Sequence, residues 1–171
     1  MMRIGREYNG WNNWIATSIP GKSLTLVTIP LYWIPMHQIT DRLFVGTIDD
    51  ASKPPPQVGA VLLVAEEFTV EGPPWLAYAR IPFKEFGEVH WSRLAEAVDW
   101  VERHVTDSRV MVCCRAGMGR SVSVVMAYLC CVEDMVYADV LKLVKTRRPG
   151  AMPLPNLQSV IDQVRRVRHA A

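Results

Sequence analysis

VMVCCRAGMGRS, residues 110–121, joins a short apolar run to a glycine-bearing turn and leaves it through a basic residue and a serine. The apolar run Arg109–Cys113 is short enough for a buried strand, and a helical pattern starts near Arg120. A buried strand feeding a helix puts the turn at the carboxyl edge of a sheet, where open α/β sheets bind ligands. The helix would aim its unpaired N–H groups and the positive end of its dipole back into the turn. Gly117 and Gly119 let the backbone curl tightly, and a curl of successive N–H groups binds anions. Arg120 adds a planar, permanently charged fork suited to phosphate oxygens. In such a field a cysteine pKa falls from about 8.5 into a range of roughly 3.5 to 7.5, so the thiolate prevails at neutral pH.

CRAGMGRS resembles the signature of the cysteine-dependent protein tyrosine phosphatases, and the small size points to the dual-specificity branch. The signature spacing C-x-x-x-x-x-R selects Cys114 rather than Cys113, because five residues, Arg115 to Gly119, separate Cys114 from Arg120. The resemblance implies that Cys114 attacks phosphorus to form a thiophosphoryl intermediate. It also implies that Arg120 clamps the equatorial oxygens and that Ser121 donates a hydrogen bond to the departing sulfur. Arg115, Ala116, Gly117, Met118, Gly119 and Arg120 then form the substrate-binding turn.

The resemblance extends over about residues 38–168. ITDRLFVGTIDDA and VGAVLLVAEE look like the first strands of small dual-specificity phosphatases. RRPGAMPLPN, with Arg148, Pro149 and Asn156, is similar to a late element of that family and is assigned a structural role only. The family takes its proton donor from an aspartate about thirty residues before the cysteine. In ARIPFKEFGEV the residue in register is Glu85, at 114 − 85 = 29 positions, with Glu88 as the reserve. Cys113 stands where the family usually carries histidine, so lowering of the thiol pKa is left to the amides, the helix and Arg120, and a smaller shift is expected. Its side chain should point to the opposite face of the strand end. Cys130 and Cys131 read as core. Met118 is neutral where lipid-phosphate phosphatases tend to carry a basic residue, which leans toward phosphoprotein substrates. Arg115 leans the other way.

Outward from the turn, RLFVG (42–46), a stretch within VGAVLLVAEE (58–67) and WLAYARIPF (75–83) read as strands, with Pro82 closing the last. Trp91, Leu94, Ala95, Val98, Val101 and Val105 recur at helical intervals, with Ser92 near the start. Helices are expected over 120–132, 137–147 and 155–168. The order predicts an α/β fold with a mainly parallel central sheet flanked by helices, protein-tyrosine-phosphatase-like in the dual-specificity manner. Residues 36–171 form the catalytic domain, and 1–35 an N-terminal extension anchored by Trp11, Trp14 and Trp33. In the extension SLTLVTI (23–29) alternates like a strand, and Gly21-Lys22-Ser23 is a turn rather than a nucleotide loop, since position 16 is Ala16.

With 171 residues, half of them hydrophobic, the chain suits one globular domain. A net charge of +2 argues against a nucleic-acid partner. No apolar run reaches the roughly 18 residues of a membrane span, and contact with a membrane surface is possible but not expected. Adjacent cysteines and the lack of a secretory leader favour a reducing cytoplasm. No metal is expected, since there is no C-x-x-C and the four histidines are scattered. Nor is an organic cofactor. The expected activity is hydrolysis of phosphotyrosine, with phosphoserine and phosphothreonine as further substrates. The alternatives are a phosphoinositide or other non-protein phosphatase and a phospho-ligand-binding module with weak turnover. The sequence leaves the oligomeric state open.

Overall fold

The computed structural model describes residues 36–170 together with two short strands nearer the N-terminus, β1 (Trp14–Ile15) and β2 (Val27–Thr28). The chain divides into two compact units, Met1–Ile34 and Pro35–Ala171. In the first, β1 and β2 pair antiparallel, so part of the alternating run 23–29 is strand. Gly21-Lys22-Ser23 lies outside the described residues.

The second unit is built on a five-stranded sheet of β3 (His37–Gln38), β4 (Leu43–Gly46), β5 (Ala60–Ala65), β6 (Ala77–Phe83) and β7 (Val110–Cys113). Its order is β3-β4-β7-β5-β6. Only β3 runs antiparallel to its neighbour; the other pairings are parallel. Every residue of β4, β5 and β7 is buried, as expected of parallel strands covered on both faces. Because β4, β7 and β5 run parallel, Gly46, Cys113 and Leu63 stand in one register row, and the strands end at one edge. β6 takes in Pro82 and ends one residue later, at Phe83, where the expected strand ends. β6 is an edge strand, and its register with β5 slips between Leu63 and Ala65, so the missing N–H is tolerated there.

Five helices complete the unit: α1 (Ile48–Ser52), α2 (Trp91–Val105), α3 (Arg120–Cys131), α4 (Tyr137–Arg147) and α5 (Leu157–Ala170). Periodicity did not signal α1, which is held by a local device. Thr47 Oγ1 accepts from the Asp50 amide, and the Asp50 carboxylate accepts from the Thr47 amide at 2.8 Å. α2 is capped by His90 rather than Ser92, the His90 imidazole accepting from the Ser92 amide. It buries Leu94, Ala97, Val98, Trp100 and Val101. α3 is the central helix, packed against α2, α4 and α5 as well as the sheet. Arg120 to Cys130 are all buried, so it is apolar all round below its first turn. Each Val or Leu fully buried there contributes about 1.5–3 kcal/mol. The turn that starts α3 is therefore fixed to the most deeply buried helix of the fold.

Candidate active site

Four successive carbonyls of the turn face outward, and each has a donor. Arg115 O accepts from the Ile48 amide at 3.4 Å, and Ala116 O from Arg148 Nη2 at 2.9 Å. Gly117 O accepts from Arg148 Nε at 2.9 Å, and Met118 O from the Met152 amide at 2.9 Å. A peptide plane carries its N–H opposite its C=O. Tying those four carbonyls from outside therefore turns the N–H groups of Ala116, Gly117, Met118 and Gly119 inward. Gly117 makes this possible with φ +63°, and a Cβ there would lie 2.9 Å from Gly46 O. α3 opens at Gly119 with no side-chain cap, leaving its first N–H groups free for an anion.

Cys114 sits inside this curl, anchored by a hydrogen bond from its amide to Gly46 O at 3.3 Å. Burial pushes its thiol up, but the Ser121 hydroxyl and the amides of Ser121, Met118 and Gly117 outweigh burial and hold the pKa below that of an ordinary thiol. The Ser121 hydroxyl lies 3.2 Å from Sγ and donates to it when the sulfur is ionised. The other three cysteines go the opposite way. Burial raises Cys113 well above the usual value and pushes Cys130 and Cys131 up to about 11. Cys113 is fully buried, and a Cβ on Gly46 would meet its sulfur at 2.8 Å. The adjacent thiols thus have separate surroundings, Cys113 against the sheet and Cys114 in the turn. All four cysteines are unpaired.

Arg120, only 3% exposed, is gripped by Glu67, the second of two acids that follow β5. Glu67 Oε2 accepts from Nη1 at 2.5 Å and Oε1 from Nη2 at 2.6 Å, while Phe83 O accepts from Nη1 at 3.2 Å. The hydrogen bond to Arg120 holds the Glu67 carboxyl below the usual range. Two carboxylates directly after a buried parallel strand were the available signal, because that strand ends on the same edge as the cysteine. With Nη1 and half of Nη2 engaged, the free N–H groups of Arg120 are Nε and its neighbour on Nη2. They form an adjacent fork suited to two oxygens of one anion.

Glu85 stands on that side, its Oε2 3.9 Å from Arg120 Nη2 and 3.7 Å from Arg115 Nη1. The structure thus brings together Cys114, Ser121, Arg120, Glu85 and the turn Arg115–Gly119. Glu88 is exposed. Among the described residues no group of three or more His, Cys, Asp or Glu side chains converges as a metal site. No helix among them is long and apolar enough to cross a membrane. Chemically, a stabilised thiolate in an amide cradle, an arginine fork opposite and a carboxylic acid at the mouth can support in-line displacement at phosphorus.

Known proteins share this arrangement of chain. Residues 62–167 match the family model "Dual specificity phosphatase, catalytic domain". The chain is 28% identical over 134 residues to the rat dual specificity protein phosphatase 15, which covers 75% of this chain and 56% of the rat protein. It therefore spans little more than half of that relative. Human DUSP28 superposes with a TM-score of 0.68 at 22% identity, over 79% of this chain and 95% of that one. PTPMT1, solved in complex with PI(5)P, superposes with a TM-score of 0.67 at 16% identity, over 80% of this chain and 99% of that one. Since the matched segment takes in well over half the chain, from the acid-tipped strand β5 through the cysteine turn to α5, the chain belongs to the dual specificity phosphatase family, within the cysteine-dependent protein tyrosine phosphatases.

Proposed function

We propose that this chain is a phosphomonoester hydrolase that removes phosphate from phosphotyrosine, and also from phosphoserine and phosphothreonine, of proteins through a cysteinyl-phosphate intermediate. The observation that carries the reading is the divergence of the four cysteines. Of the four, Cys114 alone lies inside the amide curl, with the Ser121 hydroxyl 3.2 Å from its sulfur, and in keeping with that its thiol pKa is lowered where the other three are raised.

In the first step the Cys114 thiolate attacks phosphorus, the S–P bond forms, and the P–O bond to the substrate breaks. Glu85 gives its proton to the departing oxygen. In the second step water attacks phosphorus, returns a proton to Glu85, and releases inorganic phosphate and the thiolate. The inward amides and the Arg120 fork stabilise the equatorial oxygens in both steps, and the Ser121 hydroxyl stabilises the returning thiolate. The steps balance without a metal or organic cofactor. The partner is a phosphorylated substrate; nucleic acid is not among the proposed partners. Four unpaired cysteines support a cytoplasmic, reducing setting.

The mouth of the site supports an aryl phosphate. Phe86, next to Glu85, is 81% exposed and held at φ +57°, a left-handed conformation that costs a bulky residue about 1–2 kcal/mol. Met118 is half-buried in the turn and bonds through its carbonyl to the exposed Met152. Arg115, with its side chain 64% exposed, is the observation that favours a more highly charged phosphoinositide. Relative kcat/KM on phosphotyrosine peptides, phosphoserine peptides and phosphoinositide vesicles tests the reading. Phosphotyrosine is expected to lead, and preferred turnover of phosphoinositide would replace the protein substrate with a lipid. Binding of vanadate without hydrolysis of any substrate would make the chain a phospho-ligand-binding module.

A further inference from the structure

We infer that His37 is a positioning residue for the phosphate-binding turn, acting through Arg148. The inference rests on reading the turn as the phosphate site, and it adds to the structural role expected for the Arg-Pro element.

Arg148 is 5% exposed, and all three guanidinium nitrogens are engaged. Nε and Nη2 donate to Gly117 O and Ala116 O, and Nη1 meets His37 Nε2 at 3.1 Å. Those two carbonyls belong to the peptide planes whose opposite ends are the Gly117 and Met118 amides. The same two amides help lower the Cys114 thiol. A rotation of the guanidinium is therefore transmitted to the anion cradle through single peptide planes. Among the described residues no carboxylate lies within ion-pair range of Arg148, so its charge is left to act on the cradle. Cys114 and Arg148 favour each other's ionised forms.

What sets the guanidinium is His37, reached across 111 residues of sequence. Its neighbours define its protonation state. Nδ1 lies 3.0 Å from Arg147 O, which can only accept, so Nδ1 carries the hydrogen. Nε2 faces Arg148 Nη1, which can only donate, so Nε2 must keep its lone pair. A second proton on Nε2 would remove that acceptor and set imidazolium against guanidinium. The groups facing His37 are Arg148 and the Arg147 carbonyl, just beyond and at the end of α4, and Asp50 on α1; beyond Arg148 lies Cys114. Burial and Arg148 hold the His37 pKa below its usual value, against the opposing pull of the Arg147 carbonyl and Asp50. Its neutral form is therefore intact at neutral pH and lost as pH falls through the lowered value.

The test compares the full chain with His37→Leu and His37→Gln. Glutamine offers Arg148 an oxygen acceptor that does not titrate. The rate at which iodoacetamide alkylates Cys114, located by mass spectrometry, is followed against pH. His37→Leu is expected to raise the apparent Cys114 pKa and to lower kcat/KM on para-nitrophenyl phosphate on the order of tenfold, as a small misplacement of a binding group does. His37→Gln is expected to recover most of that loss and to lack the acid-side inflection that His37 adds to the parent profile. An unchanged thiol pKa in His37→Leu overturns the inference. So does an equal loss in both variants, which would make His37 a packing residue. Should His37→Leu fail to fold, an inflection that persists in His37→Gln still overturns it. If the parent chain turns nothing over, the phosphatase reading has failed and inorganic phosphate decides. Its affinity for Cys114→Ser is then expected to drop several-fold on adding His37→Leu, and equal affinities would reject the positioning role.

Discussion

Glu67 holds Arg120 by two parallel hydrogen bonds of 2.6 Å or less, joining the turn after β5 to the first residue of α3. The pair does two things at once. It neutralises a buried guanidinium, and it fixes which two N–H groups of Arg120 remain free for the proposed phosphoryl group. Glu67→Gln keeps the shape but turns an amide N–H₂ toward one guanidinium nitrogen. Loss of kcat/KM by roughly 10- to 100-fold is expected, since a misplacement of about 1 Å costs up to about 100-fold. Glu67→Ala is expected to cost in addition up to about 3 kcal/mol in urea unfolding, because the buried charge is left alone.

The two adjacent thiols should separate cleanly. Cys114→Ser is expected to abolish turnover of para-nitrophenyl phosphate, by roughly 10⁴-fold or more, while retaining phosphate or vanadate binding. Cys113→Ser is expected to keep kcat within a few-fold and to lower stability by about 1–3 kcal/mol, because it puts a hydroxyl where the sheet offers a buried apolar niche. Full turnover in Cys114→Ser with loss in Cys113→Ser would reverse the assignment of the nucleophile.

Stability should fall at both ends of the pH scale for different reasons. Glu67 has its pKa lowered by Arg120, so its contribution is complete above its unfolded value of 4.5 and is lost as pH falls through the folded value. Glu67→Gln is expected to flatten that acid limb. The buried thiols act with the opposite sign. Cys130 and Cys131 keep their protons up to about 11 in the fold but release them near 9.0 when unfolded, so stability drops as pH rises between those values. Cys114, with its pKa lowered, adds a contribution that is complete above 9.0 and so stays constant across that drop. Urea midpoints at pH 4, 7 and 10.5 measure both limbs.

Gly117→Ala tests the backbone of the cradle. A methyl group there meets Gly46 O at 2.9 Å on a residue at φ +63°. A loss of more than about 1 kcal/mol is expected. Phosphate affinity should fall together with kcat, as the Gly117 and Met118 amides rotate away from the anion. An unchanged phosphate Kd would show that those amides do not form the cradle.

The chemistry-bearing segment was legible because it is local. Strand, turn, proposed nucleophile, fork and helix start lie within residues 110–121, and the signature spacing singles out Cys114 over Cys113. Long periodic elements were legible too, α2, α3 and α4 among them. The short α1 was not, since a capping box rather than an apolar stripe holds it. Tertiary structure decided what the segment leans on. Glu67 reaches Arg120 across 53 residues, and Arg148 reaches the turn across 31 and 32. These partners come together because parallel strands end on one edge of the sheet, and because a turn that aims its amides at an anion exposes its carbonyls behind. Such carbonyls must find donors. The sequence contains the amides, while only the fold shows which side chains hold them in place.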